Sequence, residues 1–288
     1  MVDLSGKELS EIRSHALAER VQAFCAQTGR NPSLAAVIVG DDPASRVYVR
    51  NKLKECARLN IHSLHRELDA KTTQQQLNEE IEKLNGDDRV DGILVQSPLP
   101  GHLSFEEVLD RIDPSKDPDG LTAENIGLML KGRSRANGCT PQGVIELLKH
   151  FKIATRGKSA LVVGRSQIVG LPMSILLTQQ DATVTVAHSK TPNLKSLVKE
   201  FEIVVVAAGR PHLLSARDFK KGAAVIDVGI HRMESGKLCG DVDPDGAQGH
   251  LSALSPVPGG VGPMTISVLM ENTIRLAEIR EGAKVWKR

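Results

Sequence analysis

The sequence predicts an α/β protein of two domains, each built on a parallel sheet, and three observations carry that expectation. Short apolar runs alternate with segments of helical length and period, first from about residue 34 to 96 and again from about 160 to 228, which is the pattern of βαβ units. The runs, such as 160–163, are continuous rather than alternating in polarity, as strands buried on both faces require. A length of 288 residues with 40% hydrophobic content is enough for two cores of ordinary size.

Ser5 and Glu8 have the spacing of a capping box, and Leu9, Ile12, Ala16, Val21 and Phe24 recur at helical intervals until Gly29 ends the pattern. Residues 34–39 read as a buried strand, 40–43 as a turn, and Ser45 as the N-cap of a helix reaching about residue 60. A strand at 62–68, a helix over 73–84 and a strand over 92–96 continue the alternation. Ser97-Pro98-Leu99-Pro100-Gly101 can extend neither helix nor sheet, so the last strand ends in a stiff loop. Such strand ends are where α/β proteins bind ligands. Ser104 and Glu107 box a short helix, 113–120 is a polar loop of turn formers, and Thr140 with Pro141 at the first helical position opens a helix to about residue 151.

The second set begins with a strand at 160–163, a turn at Gly164 and a helix from about Ile168. Strands follow at 183–187, 203–206 and 224–228. Residues 231–239, centred on Ser235-Gly236, read as a hairpin or extended arm, 255–263 as a stiff glycine-proline loop, and 264 to about 278 as a helix returning to the first domain.

Composition narrows the function. Thirty-seven basic and 35 acidic residues leave a net charge of +2 with no polybasic run, so bulk charge draws the chain to neither nucleic acid nor a membrane surface. Cys25, Cys56, Cys139 and Cys239 form no C-x-x-C pair, which suits reduced thiols and suggests no zinc or other metal site. No apolar signal core opens the chain and no run approaches a membrane span, so a cytoplasmic protein is expected.

The residues that carry chemistry sit at the predicted strand ends. The helix after Gly164 would aim unpaired amides and a partial positive charge at the turn, which suits an anion such as a pyrophosphate. The compact G-x-G-x-x-G spacing is absent, so an ordinary βα unit reads equally well from this stretch. Tyr48 and Lys52 share a helix face, being four apart. Tyr48 is the only tyrosine, so its ring needs a partner other than an aromatic core. A lysine desolvated in a cleft can act as an acid or base near neutrality, and Gln96, at the mouth of the sheet, could donate to or accept from both Lys52 and a substrate. His188-Ser189-Lys190 follows a strand where a dinucleotide ribose is read, and it has no acidic residue. That favours a 2′-phosphate over a free 2′-hydroxyl.

The stretch Gly164-Arg165-Ser166-Gln167-Ile168-Val169-Gly170-Leu171-Pro172 resembles the cofactor loop G-R-S-x-x-V-G-x-P of the methylenetetrahydrofolate dehydrogenase/cyclohydrolase family. Tyr48-Val49-Arg50-Asn51-Lys52 is similar to its Y-x-x-x-K, 95–100 to its V-Q-x-P-L-P, 116–120 to its K-D-x-D-G, and 256–265 to its P-V-P-G-G-V-G-P-M-T. Ser97 stands where leucine is usual and Pro118 where valine is usual.

The resemblance implies two α/β domains across a cleft. Residues 1–140 would bind folate, completed by a C-terminal helix 264–288, and 141–263 would form a Rossmann-like NADP domain. It implies tetrahydrofolate derivatives and NADP as ligands, no metal, and a homodimer through the cofactor domain. Catalysis would fall to Lys52 and Gln96 with Tyr48 and Asp119, and folate contacts to Tyr48, Gln96, Asp119, Pro258 and Gly259. NADP contacts would come from Gly164, Arg165, Ser166, Ile168, His188, Ser189, Ala208, Gly209, Ile230 and Thr265. Two rivals are a shikimate-type NADP dehydrogenase, which would not need Tyr48, Lys52 and Gln96 together, and a non-catalytic folate-binding relative.

Overall fold

The structure is a computed structural model that describes residues 1–282. Of the expected C-terminal segment, 283–288 lie outside the described residues. The chain forms two compact units: a six-stranded unit of residues 1–12 and 138–268, and a three-stranded unit of 13–137 and 269 onward.

The chain opens with β1 (Val2–Asp3) and α1 (Gly6–Thr28). Ser5 Oγ accepts from the Glu8 amide at 3.3 Å, the expected cap. From Arg13 on, α1 belongs to the three-stranded unit. There β2 (Ser33–Val39), α2 (Pro43–Arg58), β3 (His62–Leu68), α3 (Gln74–Asn85) and β4 (Gly92–Val95) alternate, followed by α4 (Phe105–Arg111) and α5 (Ala123–Leu130). The sheet order is β3-β2-β4, all parallel. Every residue of β2 and β4 is buried, whereas β3 buries none. Its sequence, His-Ser-Leu-His-Arg-Glu-Leu, has the polar and charged character of an edge strand. Leu77, Ile81 and Leu84 of α3 and Val108 of α4 close the core over Ala35, Val37, Ile93 and Val95.

Two helices of this unit differ from expectation, one in its cap and one in being present at all. At α2 the cap is Asp42, whose Oδ2 accepts from the Ser45 amide at 2.7 Å. Pro43 supplies a preset φ at the first position, which leaves Ser45 one turn inside. The helix α5 was not foreseen, because Gly127 interrupts its short pattern.

In the six-stranded unit α6 (Cys139–His150) is capped by Gly138, not Thr140, so Pro141 lies within the first turn, where its missing N–H costs nothing. Thr140 Oγ1 instead lies 3.0 Å from Thr265 Oγ1. Next come β5 (Ser159–Val163), α7 (Gly170–Gln179), β6 (Thr183–Ala187), α8 (Leu194–Leu197), β7 (Ile203–Val206), β8 (Leu214–Ser215) and β9 (Ala224–Asp227). The run closes with β10 (His231–Arg232), β11 (Leu238–Cys239), β12 (Val242–Asp243), β13 (Ala253–Leu254) and α9 (Val261–Arg280). The main sheet runs β1-β13-β9-β7-β5-β6, parallel throughout. β10 and β11 pair antiparallel, the expected hairpin. The two-residue strands β1 and β13 were not foreseen. Their pairing, Val2 with Ala253 and Asp3 with Leu254, places the N-terminus with this sheet and not with the first domain to which 1–140 was assigned.

From Leu269, α9 belongs to the three-stranded unit. Arg280 Nη1 donates to Asp91 Oδ1 at 2.8 Å, and Arg30 forks onto the same buried carboxylate at 2.7 and 2.9 Å. This ion pairing is bidentate and largely desolvated, the strong kind. Among the described residues no helix is long and apolar enough to cross a membrane.

Candidate functional site

In the three-stranded unit the geometry is made by side chains. Lys52 lies on α2 and is almost fully buried, and its Nζ donates to Gln96 Oε1 at 3.0 Å. Gln96 follows β4, and its backbone amide still joins the ladder at Val37 O, 2.9 Å. Gln96 Nε2 donates to Ser97 O at 2.6 Å. That contact fixes the amide: turned over, two oxygens would face each other. The bond therefore runs from Lys52 to Gln96, one of the two directions that the amide allowed. Tyr48 stands one turn before Lys52, half-buried, and burial raises its phenol above the ordinary value. The Ser97–Pro98 and Val257–Pro258 peptides are cis.

Asp119 is half-buried in a loop framed by its neighbours. Lys116 Nζ is buried and donates to Leu84 O, Asn85 O and Asp87 O at 3.2, 2.7 and 2.8 Å, closing the C-terminus of α3. Burial lowers its pKa, and nearby Arg280 pushes the same way. Asp117 Oδ2 accepts from the Thr122 amide at 2.8 Å and from Asn125 Nδ2 at 3.0 Å. Asn272 Nδ2 donates to Pro118 O at 2.7 Å. Gly120 has φ +65°, and a Cβ there would stand 2.7 Å from Ala136 O. Two charges of the Lys-Asp-Pro-Asp-Gly segment thus build the loop that carries Asp119. Sequence reading singled out Asp119 and passed over Lys116 and Asp117, although their charge beside a turn was a usable signal.

In the six-stranded unit the geometry is made by backbone. A Cβ at Gly164, where φ is +131°, would stand 2.2 Å from Ala207 O, and one at Gly170 would stand 2.2 Å from Gly164 O. Only glycine allows this loop to fold so tightly. The helix begins at Gly170 rather than near Ile168, because Ser166 Oγ accepts the amides of Val169 and Gly170 at 3.2 and 3.3 Å. Arg165, Ser166 and Ile168 are exposed. At the end of β6, His188 is fixed by bonds of its amide to Thr191 Oγ1 (2.9 Å) and of the Lys190 amide to its Nδ1 (3.2 Å), while Ser189 is exposed.

Ala208 and Gly209, after β7, turn their amides onto the buried Asp241 Oδ2 at 2.6 and 3.0 Å. Ile230 follows β9 and is 44% exposed, as Ile168 is 43% exposed. Because β5, β6, β7 and β9 are parallel neighbours, these four loops lie along one edge of the sheet. Exposed isoleucines there offer apolar surface to a flat ring, and Arg165 and Ser189 offer donors to a phosphate. Pro258 is exposed, Gly259 has φ +107°, and Thr265 Oγ1 also approaches Val261 O at 3.3 Å. Asp227, Asp241 and His231 escaped sequence reading.

A parallel sheet with a glycine turn between strand and helix, and ligand-facing loops on one carboxyl edge, defines the class of dinucleotide-binding α/β proteins. The chain belongs to the tetrahydrofolate dehydrogenase/cyclohydrolase family: residues 4–119 match its catalytic domain and 138–281 its NAD(P)-binding domain. It is 52% identical over 278 residues to the bifunctional protein FolD of Bdellovibrio bacteriovorus, covering 96% of each chain. The crystal structure of the bifunctional enzyme FolD from Campylobacter jejuni superposes with a TM-score of 0.94 at 44% identity, covering 97% of this chain and 99% of that one. FolD from Trypanosoma brucei, solved with NADP cofactor and inhibitor, gives 0.93 at 37% identity, with 98% of each chain covered.

Proposed function

We infer that this chain carries out two consecutive folate reactions: NADP-dependent oxidation of 5,10-methylenetetrahydrofolate to the 5,10-methenyl form, then hydrolysis of that product to 10-formyltetrahydrofolate. The observation that carries this reading is the buried Lys52–Gln96 pair at the mouth of a parallel sheet, in a chain that also has the phosphate-type donors Arg165 and Ser189.

The redox step needs orientation more than proton chemistry. NADP, when bound, takes up the hydride of the one-carbon bridge. Arg165 and Ser189 would hold its 2′-phosphate, Gly164 and Ser166 its pyrophosphate, and Ile168, Ala208, Gly209, Ile230 and Thr265 its remaining surface. Tyr48 stacks on the folate, Asp119 accepts from the pterin, and Pro258 with Gly259 completes the folate contacts.

The second step needs a proton carrier. Water adds to the methenyl carbon and loses one proton to give a neutral hydroxyl adduct. The bond from that carbon to N5 then breaks as the hydroxyl gives up its proton to become the formyl oxygen and N5 gains one, leaving the formyl group on N10 and one proton released. Lys52 Nζ, held by Gln96 Oε1, is the group placed to pass these protons. A homodimer through the cofactor domain and a cytoplasmic setting belong to the same reading. The test is an absorbance assay with 5,10-methylenetetrahydrofolate and either NADP or NAD. Turnover with NADP well above that with NAD, ending in the formyl product, is expected. No turnover with either would refute the reading, and equal use of both would refute the cofactor choice.

A further inference from the structure

Behind the loop after β7 lies a pair of buried carboxylates to which the two reactions assign no role. Asp227 ends β9, and Asp241 precedes β12 and is fully buried. Asp227 Oδ1 accepts from the amides of Gly229 (2.9 Å) and Asp241 (3.0 Å), and its Oδ2 from that of Val242 (2.9 Å). Asp241 Oδ2 accepts from Ala208 and Gly209 as described, and its Oδ1 from the Arg210 amide at 2.8 Å and from His231 Nε2 at 2.7 Å. The approach is so close that a Cβ at Gly240 would stand 1.9 Å from Asp227 Oδ2, and one at Gly229 would stand 2.4 Å from Asp241 Oδ1.

Burying a carboxylate is costly unless donors surround it, and here the donors come from three separate loops. The consequence for the loop after β7 is directional. The amides of Ala208, Gly209 and Arg210 all face inward onto one side chain, while at Gly209 (φ +66°) a Cβ would meet nothing within 4 Å, so the side of the glycine away from Asp241 is open. A ligand on this edge can then lie against backbone at Gly209, where no side chain stands in the way, with the shape of the loop held from behind.

We propose that Asp241 is a positioning residue for the cofactor: its carboxylate fixes residues 208–210 in the shape on which NADP lies, with Asp227 anchoring its backbone and His231 sharing Oδ1. This rests on the reading of Ala208 and Gly209 as cofactor contacts. Asp241 touches no substrate, so its effect appears in cofactor affinity.

The test uses the full chain with Asp241→Asn. The substitution keeps the shape but turns one oxygen into an NH2 that faces backbone donors, so part of the set loses its acceptor. Each hydrogen bond to a charged group contributes enough that Kd and KM for NADP should rise roughly 10- to 100-fold. The turnover rate at saturating NADP, and hydrolysis of added methenyltetrahydrofolate, should stay within about threefold, a split that general loosening of the fold would not produce. A folded variant with unchanged NADP affinity overturns the proposal, as does an equal loss of both activities. If the unmodified protein itself does not bind NADP, the cofactor reading fails instead. Should Asp241→Asn not fold, His231→Ala decides: a rise of about fivefold in KM for NADP is expected, restored by His231→Gln, which keeps a donor near Oδ1. No rise, or no restoration, overturns the proposal.

Discussion

In the three-stranded unit the groups proposed to meet a ligand are side-chain atoms: Lys52 Nζ on Gln96 Oε1, the Tyr48 ring, and the Asp119 carboxylate on a loop clamped by Lys116 and Asp117. In the six-stranded unit they are mostly backbone, shaped by Gly164 and Gly170 where a Cβ would collide with carbonyls, and held from behind by Asp241. The difference follows from what each half must do. Proton transfer needs one atom of one functional group within reach of the reacting centre. Holding a dinucleotide needs an extended surface of fixed shape, which packed loops provide better than flexible side chains. Damage should therefore be sharp and separable in the first unit and graded in the second.

The largest effect is expected at Lys52. Lys52→Met keeps the stem and removes the amine, and hydrolysis of methenyltetrahydrofolate should fall about 10²- to 10⁴-fold, the usual worth of a positioned acid or base. Hydride transfer moves no proton at the reacting carbon, so dehydrogenase activity should remain measurable and the methenyl product should accumulate. Near-normal hydrolysis by the folded variant would move the proton carrier elsewhere, Asp119 first.

At Gly170 the contrast is with backbone. Gly170→Ala places a methyl 2.2 Å from Gly164 O, so the loop must shift. Overpacking of this kind costs about 1–3 kcal/mol, which thermal unfolding with and without NADP would register as a lower midpoint and a smaller ligand-induced rise. An unchanged midpoint and full NADP stabilisation would show that the loop's tightness is not needed.

Arg165 is the exception, a side chain expected to matter in the backbone-built unit. Losing one charge-assisted contact of about 1.5–3 kcal/mol predicts that Arg165→Ala weakens NADP roughly 10- to 150-fold and NAD little. Comparable weakening of both cofactors would place Arg165 away from the 2′-phosphate.

The smallest effect is a pH dependence confined to the six-stranded unit. Burial pushes Asp227 up to about 6 from 3.8, and the Asp241 charge adds to it, against the amide hydrogen bonds from Val242, Asp241 and Gly229. Between these values the folded chain binds more protons at Asp227 than the unfolded chain. Its contribution to stability is thus full below about 4 and is lost as pH rises through about 6. Denaturant unfolding at several pH values in that window should show Asp227→Asn lacking this decline. Parallel profiles for the two proteins would count against the buried charge.

What could be read from the sequence was what is local. Strands at 183–187 and 203–206 could be placed on their observed bounds, the second as a continuous apolar run buried on both faces and the first, an edge strand, by its β-branched Thr and Val residues. Thr73 and Ser104 cap helices three residues ahead of the amides they accept from, a spacing visible in one dimension. The Lys52–Gln96 contact could be anticipated from recognisable segments at a helix and a strand end, but the direction of its hydrogen bond could not, since that depends on where Ser97 O sits. Tertiary structure decided the rest. A two-residue strand such as β1 has no pattern until Ala253 and Leu254 lie beside it. Asp241 reads as one more aspartate beside a glycine, and only folding brings it to amides more than thirty residues away. A carboxylate in water needs no particular partner, whereas one removed from water must find donors wherever the chain can supply them.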